Sequence, residues 1–496
     1  MKKQILSILL ALIILLSSLL ISCSKVEPQG GMSDTEDNSV SEESDVESDV
    51  RDSADLPEGI LPASGYNFRV ITSYSKLTLN ELLSEKLTGE TLNDALFKRQ
   101  IALKEQYGIT LKQKQITDCE KEMEKAVVSG TKEFDAAFNP QNSMATLTTS
   151  GYATDLLSVP YLDLYKNYWD QNAIEQLSLD GKLCYAIGEI HVSDDDCMMV
   201  MIYNSDMGEE YGVEDLYAAV DENRWTYELM LKYVKQVSSN TDSGGDMGVD
   251  DIVGYMYAAN NSVSAHLIAS GFKFTEKDAQ DSFVFSCDLT HLSNVFDVLL
   301  ELHDTTKYAA QWRNEAIRGG ADERAFIVNM HNKRAVLFQN TALYQVRTFF
   351  KDIESTFGVL PMPKYSTDQP TYQTMTFSPH NMVITIPKCY SGEELERIGY
   401  AIEAMAYLSD GLSRNYYEIC MASRYTRDSR SIEMITLARE GLVYDPTYCY
   451  GWGDVYQSLQ NKLNAHSSDI SSTLAGLQSK TEADIKQYLE DFRWNN

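Results

Sequence analysis

One short stretch of this 496-residue sequence combines residue types that could hold a metal ion or move protons. His191 is followed by three consecutive carboxylates, Asp194 to Asp196, just before an apolar run that ends at Tyr203. A calcium loop needs its ligands at alternating positions, whereas adjacent carboxylates on one segment point in different directions. We therefore interpret the stretch as an acidic turn that is solvated or faces a hinge, with a metal site as the alternative.

Signatures of catalysis are missing from the sequence. It contains no G-x-S-x-G nucleophile elbow, no H-E-x-x-H zinc motif, no phosphate-binding loop and no G-x-G-x-x-G dinucleotide fingerprint. We therefore expect no cofactor, no resident metal and no enzymatic activity. One enzymatic alternative stays open, because any two of the 73 Asp and Glu residues could meet in the fold as the acid pair of a glycoside hydrolase.

Polar residues recur where the first predicted strands end. Strands are predicted over 67–72, 109–116 and 134–138, and they alternate with helices that end at Gly108 and before Gly130. This β-α-β-α-β order predicts an α/β fold with a mostly parallel sheet and helices on both faces. Ligands of such sheets lie beyond the carboxyl ends of the strands. The polar residues at those ends are Ser73, Tyr74, Asn139, Gln141 and Asn142, although Asn139 and Gln141 could also be turn residues.

A longer apolar run divides the chain. Cys197 to Tyr203 is continuously apolar and rich in Met, Val and Ile, which is typical of a strand that is buried on both faces. Helical patterns flank it on both sides. We predict that the chain passes here from one lobe to another, and that 204–207 enters the second lobe.

The amino terminus resembles an export signal. Lys2 and Lys3 precede an apolar stretch from Ile5 to Ile21, which is short for a membrane span. A basic start, an apolar middle and a small residue before the cut are typical of a secretory signal peptide. The ending Leu-Ile-Ser-Cys23 resembles the lipobox of bacterial lipoproteins. We expect residues 1–22 to be removed and Cys23 to be lipidated, with a transmembrane anchor as the alternative.

The next segment is strongly acidic. Eleven acidic residues lie between Asp34 and Glu58 against the single base Arg51, so 23–65 is predicted to be a lipidated cysteine followed by a disordered, solvated tether. The whole chain carries a formal net charge of −31. Such a charge argues against nucleic acid and anionic membrane surfaces as partners.

The remaining cysteines are widely and irregularly spaced. The sequence has 8 cysteines and no C-x-x-C pair, which argues against both a disulfide framework and a zinc site. Most of them lie within apolar runs, so we expect buried side chains that pack as small hydrophobic groups. Their pairing stays open.

Several motifs in a fixed order resemble the extracellular solute-binding proteins of ABC importers, the group that includes maltose-binding protein. Each motif is weak alone, but their order is specific and the lipobox agrees with it. The resemblance extends over nearly all of 66–496. The segments that carry it are Gly151–Leu156, Pro160–Leu164, Tyr168–Asp170, Asp180–Leu183, Tyr203–Met207, Tyr211–Gly212, Arg334–Phe338, Phe357–Pro363 and Glu393–Gly411.

This resemblance implies a two-lobed periplasmic-binding-protein-like fold. Each lobe is then a mostly parallel sheet flanked by helices, crossing strands join the lobes, and a ligand binds between them and closes the hinge. The implied second and third crossings lie near 359–364 and 410–415. Carried onto this chain, lobe one is 66–198 with 357–411, and lobe two is 199–356 with 412–496.

The family also suggests which residues bind the ligand. Members that take sugars stack aromatic rings on the pyranose and pair its hydroxyls with amides, carboxylates and Arg, because unpaired buried polar groups are costly. Of the acidic stretch, Glu189 is then assigned to the ligand and 194–196 to the hinge. Trp452, which lies between glycines, and Tyr344 could stack on the sugar, or they could instead pack in the core. The aromatic candidates are Tyr74, Tyr344, Tyr450 and Trp452, and the polar candidates are Asn139, Gln141, Asn142, Glu189, Asn260, Asn261, Asn340 and Arg424.

The sequence thus favours a monomeric, lipid-anchored binding protein on the extracytoplasmic face of the cell membrane. The resemblance implies a carbohydrate ligand, most simply an oligosaccharide, and delivery to ABC permease subunits after closure. A peptide or another polar solute stays open as the ligand. Two other classes stay open. They are an exported carbohydrate-active enzyme and a lipoprotein that senses or adheres without transport.

The lipobox generates the first testable prediction. Replacing Cys23 with Ala removes the only sulfur to which the lipid can be attached at that site. The variant is therefore expected to leave the membrane fraction when cells are fractionated and blotted. Retention of Cys23→Ala in the membrane would contradict lipid anchoring and favour the transmembrane alternative.

Overall fold

Alternating helices and strands build the first half of the protein as the sequence predicts. The structure is a computed structural model, and it describes residues 51–241, 245–258, 260–318, 322–421 and 429–495. The predicted signal peptide, Cys23 and Arg424 lie outside these residues.

The first sheet carries the predicted β-α-β-α-β unit. β1 (Tyr66–Ser73) lies between β2 (Ile109–Ile116) and β3 (Ala136–Pro140), and both pairings are parallel. A fourth strand, β11 (Met382–Thr385), joins β3 in antiparallel orientation. The strand order is therefore β11-β3-β1-β2.

The second sheet has five strands in the order β10-β4-β9-β5-β8. β4 is antiparallel to both β9 and β10, whereas β5 is parallel to β8 and β9. Every residue of β4 is buried, as its continuous apolar run predicts. The bounds are β4 (Met199–Asn204), β5 (Val253–Tyr257), β8 (Ala309–Gln311), β9 (Val336–Ala342) and β10 (Phe357–Leu360), and a separate hairpin pairs β6 (Thr275–Lys277) with β7 (Phe283–Phe285).

Helices cover both sheets. Among the described residues, no helix is both long enough and apolar enough to cross a membrane. The α-helices are α1 (Thr91–Tyr107), α2 (Cys119–Ser129), α3 (Met144–Thr149), α4 (Gln171–Leu177), α5 (Ser193–Asp196), α6 (Ser205–Tyr211), α7 (Leu216–Asp221), α8 (Tyr227–Val237), α9 (Ser262–Ala269), α10 (Leu289–Leu302), α11 (Trp312–Arg318), α12 (Glu323–Asn332), α13 (Leu343–Phe349), α14 (Glu393–Tyr407), α15 (Leu412–Cys420), α16 (Ser429–Glu440), α17 (Pro446–Tyr450), α18 (Val455–Asn464) and α19 (Ile470–Asn495), and the short 3₁₀ helices are Gln141–Ser143, Leu156–Ser158, Phe350–Asp352 and Trp452–Asp454.

The first two helices end where their glycines predict. Gly108 follows α1 with a φ of 69°, and Gly130 follows α2 with a φ of 67°. Both angles lie in the left-handed region that glycine adopts without steric cost. At the other end of α2, the side chain of Asp118 accepts a hydrogen bond from the Lys121 amide. These local signals determine where the helices begin and end without help from tertiary contacts.

Backbone segments from distant parts of the chain run side by side between the two sheets. The Phe377 amide donates to the Cys197 carbonyl at 2.9 Å, and the Met199 amide donates to the Met375 carbonyl at 2.9 Å. The Val443 amide donates in turn to the Thr374 carbonyl at 2.8 Å. We call the segments 197–199, 374–377 and 441–443 the hinge passages.

These positions differ from the expected second and third crossings. Phe357–Leu360 is an edge strand of the second sheet, so the lobe boundary expected at 357 falls later in the chain. The prolines at 361 and 363 end that strand, because proline has no amide proton for a sheet ladder. The helix α15 begins at Leu412, within the expected third crossing, and packs against both α1 and α13. The sequence pattern shows where strands lie but not which sheet they join.

Buried ion pairs lie beside the hinge passages. Asp194, Asp195 and Asp196 are all buried, so the expectation of a solvated turn is wrong and its hinge-facing alternative describes their position. Two nitrogens of the Arg347 guanidinium donate to the Asp196 carboxylate, both at 3.1 Å. Arg439 contacts the carboxylates of both Asp194 and Asp195. Since these guanidinium groups come from α13 and α16, the pairs tie separate elements together at the hinge.

Burial makes these carboxylates costly to ionise. It raises the pKa of Asp194 and of Asp196, while Arg439 and Arg347 respectively oppose that shift. A carboxyl whose pKa is raised by folding binds a proton more tightly when folded, so its ionisation lowers stability as pH rises. The charge pairs therefore offset a desolvation cost rather than add net stability.

The amino-terminal segment also differs from the sequence prediction. Arg51 donates to the carbonyls of Ala406 and Tyr407 and to the Glu189 carboxylate, and Ala54 is buried. Apolar residues farther along pack against the core, so 51–65 is part of the folded domain and not of a tether. The prediction failed because it rested on the acidic composition of the segment, whereas a few apolar residues hold the segment against the core. They are Leu56, Ile60 and Leu61.

The cysteines that the structure describes are all unpaired. Five of them are buried, and burial raises the pKa of Cys119 and Cys184 to about 12. Such thiols are protonated at neutral pH and pack as apolar side chains.

The hinge ion pair generates a stability prediction. Arg347→Met keeps most of the side-chain volume but leaves Asp196 buried without its cation. We expect the free energy of unfolding, measured by urea denaturation, to fall by about 3–5 kcal/mol. The double variant Arg347→Met/Asp196→Asn removes both charges and should recover at least half of that loss. Equal stability of the wild type and Arg347→Met would contradict the role given to this pair.

Candidate functional site

A cleft lies against the hinge passages and consists of two adjacent cavities. The larger one, of about 320 Å³, is lined by Tyr448, Tyr450 and Tyr456, and we call it the tyrosine cavity. The smaller one, of about 200 Å³, is lined by Asn261 and Asn340 among others, and we call it the amide cavity. Asn260 and Phe377 line both cavities, so the two are compartments of one cleft.

The amide cavity lies at the carboxyl ends of three neighbouring strands. Asn261 follows β5, Trp312 follows β8 directly, and Asn340 belongs to the last residues of β9. β5 is parallel to both β8 and β9, so these ends meet at one edge of the sheet. That edge is where ligands of parallel sheets bind.

Several buried polar atoms of residues that line the amide cavity have no hydrogen-bond partner among the described residues. They are the Asn340 Nδ2, the Trp312 Nε1 and the Asn261 Oδ1. The first two are donors and the third is an acceptor. A buried donor or acceptor without a partner costs about 1–3 kcal/mol. The wall of the amide cavity therefore contains buried donors and an acceptor that are left unpaired next to the cavity.

The tyrosine cavity offers ring surfaces whose hydroxyls are already engaged. The Tyr450 hydroxyl lies 2.6 Å from the Tyr185 hydroxyl, and the Tyr456 hydroxyl donates to Asp445 at 2.7 Å. Burial raises the pKa of Tyr450 and of Tyr456 well above the ordinary value, so both phenols stay neutral. Fixed, neutral rings suit an apolar face of a ligand.

Acidic residues at the cleft are already paired. Among the described residues that line the two cavities, the acids are Glu323 and Asp454. Glu323 accepts from Arg313 at 2.7 Å, and Asp454 accepts from Lys480 at 2.7 Å. Within the described part of the chain, no group of His, Cys, Asp and Glu is arranged to hold a metal ion.

The structure brings half of the sequence-predicted site residues together. They come from four separate parts of the chain and share the cleft surface. The residues that line it are Asn142, Asn260, Asn261, Asn340, Tyr344 and Tyr450.

Two further candidates lie beneath the surface. Asn139 and Gln141 are completely buried near the carboxyl end of β3. Gln141 accepts a hydrogen bond from the Asn381 side chain at 3.3 Å. Neither polar atom of the Asn139 side-chain amide has a hydrogen-bond partner among the residues that the structure describes. These two amides are part of the first lobe's interior and do not line either cavity.

The structure corrects the remaining described candidates. Tyr74 is 56% exposed and lines neither cavity. Glu189 forms an ion pair with Arg51 at 2.6 Å, which occupies the carboxylate that was assigned to the ligand. Trp452 is buried against Phe283 and Tyr488, with ring centroids 5.9 and 5.1 Å away.

The glycine beside Trp452 has a packing role. A Cβ atom at Gly453 would collide with Thr481 of α19, so glycine is required for the close approach of that helix. The sequence prediction that Trp452, which lies between glycines, stacks on the ligand is therefore wrong. Core packing, the alternative, describes Trp452.

Sequence reasoning missed several cleft residues. Trp312 directly follows β8, so the rule of polar and aromatic residues at strand ends could have found it once that three-residue strand was recognised. Gln345 lies one residue after Tyr344 at the start of α13. Phe377 lies in an irregular hinge passage and has no periodic or motif signal. Only the fold brings it to the junction of the two cavities.

Comparisons with known proteins agree with this architecture. No family model matches the chain, and the search of curated proteins returned no match. Among solved structures, a sugar transporter from Rhizobium etli in an open conformation matches with a TM-score of 0.52 at 12% identity, over 86% of this chain and 99% of that chain.

Two other structures match similarly. UspC of M. tuberculosis has a TM-score of 0.51 at 14% identity, over 84% of this chain and 100% of that chain. The galacto-N-biose-/lacto-N-biose I-binding protein of the ABC transporter from Bifidobacterium longum, in complex with lacto-N-biose, has a TM-score of 0.50 at 13% identity, over 87% of this chain and 98% of that chain. The chain therefore has the two-lobed α/β fold of the extracellular solute-binding proteins, as the resemblance in its sequence predicted.

Proposed function

We propose that the protein binds a carbohydrate in the cleft between its lobes and serves an ABC importer as its solute-binding lipoprotein. The observation that carries the proposal is the set of unpaired donors and acceptors in the amide cavity, next to aromatic rings. A sugar hydroxyl both donates and accepts, and the C–H face of a pyranose is apolar.

The size of the cleft supports more than one sugar unit. Small-molecule pockets usually have volumes of about 300–1,000 Å³. The tyrosine cavity reaches about 320 Å³ and the amide cavity adds about 200 Å³. An oligosaccharide spanning both would pass Phe377, which lines the junction. Each compartment then holds part of the ligand against its own aromatic residues.

Binding is favoured over catalysis by the charges at the cleft. Glycoside hydrolysis uses two carboxyl groups on either side of the scissile bond. The lining acids, Glu323 and Asp454, belong to different cavities, and each is engaged by a cation. The solved structures of the same fold are described as binding proteins or transporters, which supports the same choice.

Closure of the lobes would couple ligand binding to transport. The cleft is lined by Asn142 of the first lobe, by Asn340 of the second and by Phe377 of a hinge passage. A ligand that contacts all of them stabilises the closed arrangement by its differential affinity for that state. Lipidation at Cys23 would keep the protein beside the permease. Membrane anchoring and permease delivery rest on the sequence alone.

A thermal-shift screen tests the proposal. Purified protein lacking residues 1–22 should melt at a higher temperature with at least one member of a panel of neutral oligosaccharides. A ligand present at 100 times its dissociation constant stabilises by about 2.7 kcal/mol. The responding sugar should be recovered intact after incubation. Cleavage of the sugar would favour the enzymatic alternative, and a panel without any response would contradict carbohydrate binding.

A matched pair of aromatic substitutions distinguishes a residue that binds the ligand from a residue that packs in the core. Tyr344→Ala removes a ring from the cleft, so we expect affinity for the responding sugar to fall with little change in melting temperature. Trp452→Ala empties part of a buried aromatic cluster and should lower the free energy of unfolding by about 3–5 kcal/mol. Calorimetric titration and urea denaturation measure the two effects. The reverse pattern, with Trp452→Ala stable and defective in binding, would return Trp452 to the site.

A further inference from the structure

A short loop of the first lobe forms part of the wall of the amide cavity. The loop spans 74–80 and directly follows β1. Its residue Leu77 is 41% exposed and lines the cavity together with Tyr344. Most of the other lining residues belong to the strands of the second sheet or to the segments that follow them. The first lobe therefore reaches this cavity through Leu77.

The base of the loop is fixed to the first sheet. The side-chain amide of Asn80 donates to the carbonyl of Ser73, the last residue of β1, at 2.7 Å. The Ser75 hydroxyl oxygen accepts hydrogen bonds from the backbone amides of Leu77 and Thr78, both at 3.1 Å. Such side-chain bonds fold a short segment into a local turn. They do not hold that turn against the second lobe.

Asp196 and Arg347 supply the contact with the second lobe. The Leu79 amide donates to the Asp196 Oδ2 at 2.8 Å, and a guanidinium nitrogen of Arg347 donates to the Leu77 carbonyl at 3.0 Å. The same guanidinium donates twice to the Asp196 carboxylate. A planar guanidinium can bridge two acceptors in this way, whereas a lysine ammonium has no rigid fork of donors. Because α13 directly follows β9, the bridge joins the loop to the second sheet.

The helix α13 thereby organises two parts of the cavity wall. Tyr344 and Gln345, in its first turn, line the cavity themselves. We propose that Leu77 is a ligand-contacting residue of the first lobe, and that Arg347 and Asp196 are positioning residues that hold it at the cavity. The Leu77 side chain packs on an apolar part of the ligand, such as the C–H face of a pyranose. This inference rests on the proposed carbohydrate function.

Two exposed leucines between β1 and α1 give a matched test of the contact. Leu77→Ala shortens the side chain at the cavity and should weaken binding of the responding oligosaccharide by about 5- to 20-fold, without changing the melting temperature of the free protein. The control, Leu87→Ala, alters a leucine that is 54% exposed and lines neither cavity, so it should change neither quantity. Equal affinities of Leu77→Ala and the wild type, measured by calorimetric titration, would overturn the contact.

A double-mutant cycle tests whether Arg347 acts through Leu77. Arg347→Lys keeps a positive charge beside Asp196 but cannot bridge to the Leu77 carbonyl at the same time. We expect this variant to weaken sugar binding by about 5-fold on its own, and by less than about 2-fold in the Leu77→Ala background, because residues that act together are not additive. Equal effects in the two backgrounds would show that Arg347 acts only on the general stability of the hinge, and would overturn its positioning role.

Hydrogen exchange tests the attachment of the loop without any ligand. Arg347→Lys should speed exchange in the peptide that covers 77–82 by about 5-fold or more and leave the peptide that covers 84–90 unchanged, because only the first is held by the bridge. Mass spectrometry follows both peptides in one experiment, and unchanged exchange of 77–82 would overturn the role of Arg347. A panel in which no sugar responds contradicts the proposed function, and the exchange of 77–82 then decides whether Arg347 holds the loop.

Discussion

The architecture depends on the backbone hydrogen bonds that hold the three hinge passages side by side. Segments more than 170 residues apart in the sequence meet there, since the Met199 amide donates to the Met375 carbonyl. The same passages carry Phe377 to the junction of the two cavities. The carboxylates of 194–196 lie immediately before the first passage and are neutralised by Arg347 and Arg439. Hinge, ion pairs and cleft are therefore one connected region of the molecule.

Polar groups are arranged differently in the hinge and in the cleft. At the hinge, each buried carboxylate is in contact with a guanidinium group, which offsets its desolvation. At the amide cavity, the Asn340 Nδ2, the Trp312 Nε1 and the Asn261 Oδ1 have no hydrogen-bond partner in the described part of the chain. Leaving such groups unpaired lowers the stability of the isolated protein. A ligand that forms hydrogen bonds with these groups would recover that free energy on binding. The unpaired groups would then contribute to both the affinity and the specificity of the site.

The parts of the fold that depend on local physics could be predicted from the sequence. Gly108 and Gly130 end helices because only glycine readily adopts their backbone angles, and β4 is buried on both faces because every residue from Met199 to Tyr203 is apolar. The strand-end rule and the family resemblance together identified Asn142, Asn340 and Tyr344 as cleft residues. Errors arose where the outcome depends on tertiary partners. Glu189 was predicted to bind the ligand, but its carboxylate forms an ion pair with Arg51. The ring of Trp452 is covered by a helix that begins 18 residues later, at Ile470.

A crystal structure of the protein crystallised with an oligosaccharide that raises its melting temperature would test the central claim most directly. The account predicts a sugar that touches both lobes and passes Phe377, with an oxygen within hydrogen-bond distance of the Asn340 side-chain amide and an aromatic ring of the cleft against a pyranose face. A sugar ordered outside the two cavities, or in contact with one lobe alone, would contradict it.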